Sequence, residues 1–163
     1  LMDHVRPDHV AQRKVWLGDV VDRCVFAVSE RAGIRVPEQV PGELAVMADE
    51  VELSRVLSNL LENAARYGKT PGGETSEVQT TATQVRDGWV QLDVHDHGAG
   101  VPEQNLAHLT KAFFRGDQAR TAATGAGLGL AIVEKNILRM GGSFTLSNRP
   151  GGGLAARILL RRG

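Results

Sequence analysis

The chain contains a single cysteine, Cys24, so it closes no internal disulfide and offers no thiolate cluster to a metal; a reducing setting fits. It has no excess of either charge, with 19 Lys and Arg against 19 Asp and Glu. A domain that grips nucleic acid through bulk electrostatics carries a basic surplus, so no nucleic-acid partner is expected. No apolar run approaches the ~18 residues of a membrane span, and no signal-peptide pattern opens the chain. At 163 residues there is length for one ordinary domain with a real core. The opening "LMDHVRPDHVAQRKV" reads as the cut end of something longer, and residues 1–14 are expected to be linker, with the domain occupying 15–163.

Regular spacing marks most of the elements. "WLGDVVDRCVFAVSER", 16 to 31, sets Leu17, Val20, Val21, Cys24 and Val28 along one helical stripe, and Gly33 stops it. "ELAVMAD", 43 to 49, reads as a short strand. Asp49 is placed to cap a helix from Glu50 to about Tyr67, closed by Gly68. "SEVQTTATQV" and "GWVQLDVHD" alternate partially about "RDG", which predicts a β-hairpin turning near Asp87 and Gly88. A long polar, glycine-punctuated segment follows, about 97–126, with a short helix expected near 103–109. A loop of that length in a compact domain suits a lid. "LGLAIVEKNILRMGG" then gives a helix with apolar residues at 130, 133, 137 and 140, and "SFTLSNRPGGGLAARILL" a second hairpin turning at 150–153. The outline is α+β, a two-layer sandwich with a mixed, mostly antiparallel sheet and about three helices on one face.

"TGAGLGLAIV", 124 to 133, places Gly125, Gly127 and Gly129 within five positions. It is not a P-loop, because Leu130 and Ala131 stand where the lysine and hydroxyl belong. It is not a Rossmann turn either, since position 130 is Leu and "DQARTAAT" before it is no strand. What survives is a glycine-rich approach of backbone N–H groups to an anion at a helix N-terminus, or a flexible hinge with tight helix packing.

Two further groups narrow the chemistry. In "VLSNLLENAARYG" the residues Asn59, Asn63, Arg66 and Tyr67 stand at i, i+4, i+7 and i+8 and share one side of a helix, beside the apolar face of Leu53, Leu57, Leu60 and Ala64. Two asparagines on one stripe cost helix stability unless they hold something. In "DVHDHGAGVP", Asp96 closes a strand and is followed by Gly98 and Gly100. A carboxylate there can accept from an exocyclic amine, and the glycines leave room for a flat ring, although turns use the same residues.

The order of these motifs resembles the ATP-binding domain shared by gyrase, Hsp90, MutL and the histidine kinases. "NLLENAARYG", "DHGAG", the lid "FFRGDQART" and "GAGLGLAIVEK" carry the resemblance, over roughly residues 43 to 160. "NAARYG" and "RGDQART…GLGLAIV" are similar in particular to osmosensor, EnvZ-like sensor histidine kinases. The resemblance implies a Bergerat α/β sandwich that binds ATP with magnesium. It implies Asn63 as magnesium ligand with Asn59 assisting, Arg66 on phosphate oxygens, and Tyr67 against the adenine. Asp96 would accept from the adenine amino group in a pocket shaped by Gly98 and Gly100. Arg115 and Arg120 would close from the lid toward the γ-phosphate, and Gly125, Gly127, Leu128 and Gly129 would wrap the triphosphate.

The ATP-hydrolysing members of that superfamily place a glutamate four residues before the magnesium-binding asparagine. Here that position is Asn59, and an amide takes no proton near neutral pH; Glu62 points about 100° away from Asn63 by helical spacing. Phosphoryl transfer, which asks mainly for positioning and charge neutralisation, is therefore favoured over hydrolysis. The family's lid carries Phe-x-Pro-Phe, and "LTKAFFRG" keeps only Phe113, with Thr110 and Ala112 at the first aromatic and the proline. The acceptor histidine of the family lies on a separate helical domain, and His4, His9, His95, His97 and His108 all lack its context. The expectation is the catalytic half of a two-component sensor kinase, whose partners are the histidine-containing dimerisation domain of the same protein, at the far side of the 1–14 linker, and a response regulator. The parent is expected to be a homodimer in the bacterial inner membrane with this part in the cytoplasm. The alternatives are a non-catalytic nucleotide-binding regulatory module and a gyrase- or Hsp90-like ATPase.

Overall fold

The computed structural model of the chain describes residues 12–67, 77–98, 125–150 and 152–163, with backbone alone at 66–67 and 125–129. Strand β1 (Arg13–Trp16) runs directly into helix α1 (Leu17–Ala32). Strands β2 (Glu38–Gln39) and β3 (Ala45–Ala48) follow, then α2 (Glu50–Tyr67). The hairpin β4 (Gln79–Arg86) and β5 (Trp89–His95) comes next, then α3 (Gly125–Arg139) and a final hairpin of β6 (Ser143–Asn148) and β7 (Leu154–Arg161).

Five strands form one sheet in the order β2-β4-β5-β7-β6. β2 runs parallel to β4 and the other pairs are antiparallel. Helix α2 is central, packed against α1 on one side and α3 on the other. Alternation along the strands assigns the faces: Val90, Leu92 and Val94 of β5 and Ala156, Ile158 and Leu160 of β7 are buried under the helices. Leu53, Leu57, Val56 and Leu61 of α2 meet them as part of one continuous core. On the other face Asp93 is also buried, and it is satisfied there by Arg157 Nε at 2.9 Å and Gln91 Nε2 at 2.8 Å.

Local chemistry sets the ends of the elements. Gly33 takes the left-handed conformation (φ 68°) that lets its N–H reach Ser29 O at 2.9 Å and close α1. Asp49 Oδ1 accepts from Glu52 N at 2.9 Å, so the expected cap of α2 is formed. Gly88, at φ 81°, makes the turn between β4 and β5. Gly142 leads into β6 where a Cβ would lie 2.2 Å from Leu159 O, so only glycine fits.

The structure adds to the sequence reading in four places. β1 begins at Arg13, inside the stretch read as linker, and pairs with β3. The 43–49 strand is therefore half of a separate two-stranded ribbon, tied to the main sheet by a single bridge from Val46 to Arg162. β2, two residues long, has too little pattern to be seen without its partner. Finally α3 starts at Gly125, one turn before the apolar spacing begins, because glycine weakens a helix by ~1 kcal/mol per residue without forbidding it. Gly68, the 99–124 part of the lid and its expected short helix lie outside the described residues.

Glu38 on β2 stands beside Asp22 of α1, and withdrawal from water, with a hydrogen bond and repulsion from Asp22, pushes its carboxyl from 4.5 up to about 7. An acid raised on folding is protonated longer in the native state. Its contribution is present below pH 4.5 and is lost as pH rises to about 7. Glu38→Gln should remove that decline, leaving the variant more stable than the parent at pH 8 and nearly equal to it at pH 4.5, as urea denaturation at the two pH values will read.

Candidate functional site

The amide stripe of α2 is where the sequence placed it. The Leu face is buried, and Asn59 and Asn63 are half-buried along its border. Asn63 Nδ2 is sealed from solvent and has no hydrogen-bond partner among the described residues. An orphaned amide of this kind costs ~1–3 kcal/mol, which a ligand can recover. Rotated by half a turn, the same amide presents its oxygen instead, so the group suits either a phosphate oxygen or a cation. Glu62, the nearby carboxylate, is turned toward α1 and ion-paired with Arg31, which keeps it from the amide stripe. Arg66 and Tyr67 fall in the last turn of α2, and their side chains lie outside the described residues.

The end of β5 supplies the second group. Asp96 is 7% exposed. Its Oδ1 accepts from Gly98 N at 3.0 Å and from Leu154 N at 2.9 Å, while Asp96 N donates to Leu154 O at 3.0 Å. The β5–β7 ladder thus runs one step past the strand and finishes on a side chain. Two N–H groups hold Oδ1, and Oδ2 has no partner among the described residues. Such a carboxylate is fixed in rotation with one acceptor oxygen uncommitted. Gly98 supplies one of the donors, as its position in D-x-G requires; Gly100 lies outside the described residues.

Two neighbours of Asp96, and a buried hydroxyl on β4, escaped the sequence reading. Arg149 Nη1 donates to Asp96 O at 2.8 Å and to His97 Nδ1 at 3.0 Å. Gly153, at φ 99°, brings its Cα so close that a Cβ would stand 2.1 Å from Asp96 O. Thr80, wholly buried opposite Val94, keeps Oγ1 without a hydrogen bond. "RPGGG" marks a turn, but nothing local says that the turn closes on a residue more than fifty positions earlier. Burial lowers the His95 imidazole below its ordinary 6.5, opposed by Asp93 and reinforced by Arg149, Arg157 and His97, so this ring is neutral near pH 7.

Gly125, Gly127, Leu128 and Gly129 occupy the first turn and a half of α3. Arg115 and Arg120 lie outside the described residues. No group of three or more His, Cys, Asp or Glu side chains that could hold a metal occurs among the described residues. No helix among the described residues is long and apolar enough to cross a membrane.

A two-layer sandwich with an amide-bearing central helix, a strand-end aspartate and a glycine-led third helix defines a class. The model of the histidine kinase-, DNA gyrase B-, and HSP90-like ATPases matches residues 48–163, and the chain belongs to that family. Its relatives within it are sensor histidine kinases. The signal transduction histidine-protein kinase/phosphatase MprB of Mycolicibacterium paratuberculosis is 36% identical over 155 residues, 94% of this chain and 29% of the relative. The solved mycobacterial sensor histidine kinase MprB matches with a TM-score of 0.78 at 28% identity, covering 93% of this chain and 97% of that one. Full-length ShkA in complex with AMPPNP matches at 0.76 and 27% identity, over 95% of this chain and 32% of that one. The chain is thus an ATPase catalytic domain of the histidine-kinase type, and it spans less than a third of that curated relative's length.

Gly153→Ala should destabilise the domain by well over the ~1–2 kcal/mol that a left-handed backbone alone costs. Gly33→Ala, with φ 68° and nothing within 4 Å of the new Cβ, should show that backbone cost only. Denaturant unfolding of the two variants gives the difference. Equal losses would mean that the Asp96 contact yields without resistance.

Proposed function

We propose that this domain binds Mg-ATP and presents its γ-phosphoryl group to a histidine on a separate dimerisation domain of the same protein, for onward transfer to a response regulator. The observation that carries the reading is Asp96, locked through Oδ1 with Oδ2 left as an acceptor, which suits the exocyclic amine of adenine. The orphaned amide of Asn63 fits the metal-phosphate end, with Asn59 one turn away to assist. Arg66, Arg115 and Arg120 are assigned to phosphate oxygens and Tyr67 to the adenine. Gly98 and Gly100 shape the base pocket, and Gly125, Gly127, Leu128 and Gly129 offer the α3 N-terminus to the triphosphate.

Mg-ATP, when bound, supplies the transferable phosphoryl group and the cation that neutralises its charge. The protein's part is to orient. Asp96 fixes the base, the α2 amides fix the metal and phosphates, and the α3 dipole lowers the cost of gathering negative charge. On α2 no general base stands ready to activate water: Asn59 is an amide and Glu62 is paired with Arg31. Transfer to an acceptor is therefore favoured over hydrolysis. On this reading the residues before β1 lead from the dimerisation domain, and the parent is a homodimer in the bacterial inner membrane with this domain in the cytoplasm.

With γ-labelled ATP and the parent's histidine domain supplied in trans, the intact chain should label the acceptor and not itself. Asn63→Ala should slow labelling about a hundredfold or more. Nucleotide binding without any transfer would replace this reading with a regulatory module. Fast phosphate release without acceptor would replace it with an ATPase.

A further inference from the structure

Beyond the groups that would touch the nucleotide, the hairpin turn between β6 and β7 holds Asp96 from behind. Three of its residues do so in three ways. Leu154 N binds Oδ1 at 2.9 Å, Arg149 Nη1 binds the main-chain oxygen at 2.8 Å, and Gly153 leaves no room for the Asp96 backbone to retreat. Arg149 also reaches His97 Nδ1 at 3.0 Å. Arginine can only donate, so Nδ1 is the unprotonated ring nitrogen, and the imidazole is held as its Nε2–H tautomer. His97 Nε2 has no hydrogen bond among the described residues and stands 3.8 Å from Glu77 Oε1, on the carboxylate that pairs with Arg35. One guanidinium thus fixes the peptide on the C-terminal side of Asp96 and the ring that follows it.

From this we infer that Arg149 is a positioning residue for base selection: through Asp96 O and His97 it sets the orientation in which the Asp96 carboxylate reads a 6-amino group on a purine. The inference rests on the nucleotide reading of the site. A carboxylate fixed in rotation rewards an amine at one position. A carboxylate free to swing gains less from that amine, and the loss falls on the base and not on the phosphates. Arg149 is therefore a specificity-determining group that touches no ligand atom. An arginine that merely stabilised a turn would weaken every nucleotide alike.

The test is calorimetric titration with Mg-ADP and with the diphosphate of purine riboside, which lacks the 6-amino group. The intact chain should prefer ADP about tenfold or more, the scale of one well-placed hydrogen bond to a charged group. Arg149→Ala should reduce that preference to about threefold or less while leaving purine riboside diphosphate within about twofold of its parental affinity. Arg149→Lys, which keeps one charged donor, should restore part of the preference. Melting curves report whether each variant is folded, and Arg149→Gln carries the same test if the alanine variant is not. Equal weakening of both ligands, or an unshifted preference, overturns the inference while the ATP reading stands. Failure of the intact chain to bind ADP overturns both.

Discussion

Asp96 Oδ1 accepts two backbone N–H groups, from Gly98 and Leu154, and that one oxygen both ends a sheet ladder and fixes the carboxylate proposed to read the base. The β5–β7 ladder pairs seven residues in antiparallel register, from Trp89 with Arg161 to His95 with Ala155. At the next step the side chain of Asp96 takes the Leu154 N–H, while its own N–H still meets Leu154 O. The sheet therefore ends without an orphaned donor, and the carboxylate that ends it is left with its second oxygen to offer. A charge-assisted hydrogen bond to backbone N–H is roughly twice as strong as a neutral one, so stabilising the sheet and orienting the carboxylate are the same event.

On the proposed function the second half of the site lies on α2. α2 is packed on both flanks, by α1 and by α3. Its leucines face the sheet, and the remaining polar stripe must fall on a border. Asn59 and Asn63 stand there half-covered, and Asn63 Nδ2 is closed to solvent with no hydrogen-bond partner among the described residues. Ion pairing with Arg31 holds Glu62 toward the other flank. A helix packed on one side only would leave these amides in open solvent, where they would bind little. On the proposed function the fold supplies desolvation, and the sequence supplies amides in place of a base.

Legibility in the sequence followed the range of the interaction. The three helices could be read because their burial repeats every turn: Leu17, Val20, Val21, Cys24 and Val28 on α1, and Leu130, Val133, Ile137 and Met140 on and just after α3, are all buried. The Asp49 cap and the Gly88 turn are local devices with local signatures. β1 and β2 were not legible, since four and two residues carry too short an alternation and owe their form to distant partners. In the site, Asn59, Asn63, Asp96 and Gly98 stood out by spacing. Arg149 and Gly153 did not, because their meaning lies in Asp96, on a strand they meet only in the fold. The start of α3 moved for a related reason: apolar spacing reports where burial begins, and the glycine turn before it buries no side chain.

On the proposed function, Asp96 and the amide stripe of α2 are two ends of one Mg-nucleotide site. The most direct test of that claim is a titration of the intact chain with AMPPNP, with magnesium and again with the metal chelated, alongside Asp96→Ala. The account predicts micromolar-range binding that weakens about tenfold or more without magnesium and vanishes in the variant. Absence of binding by the intact chain, or undiminished binding by Asp96→Ala, would contradict it.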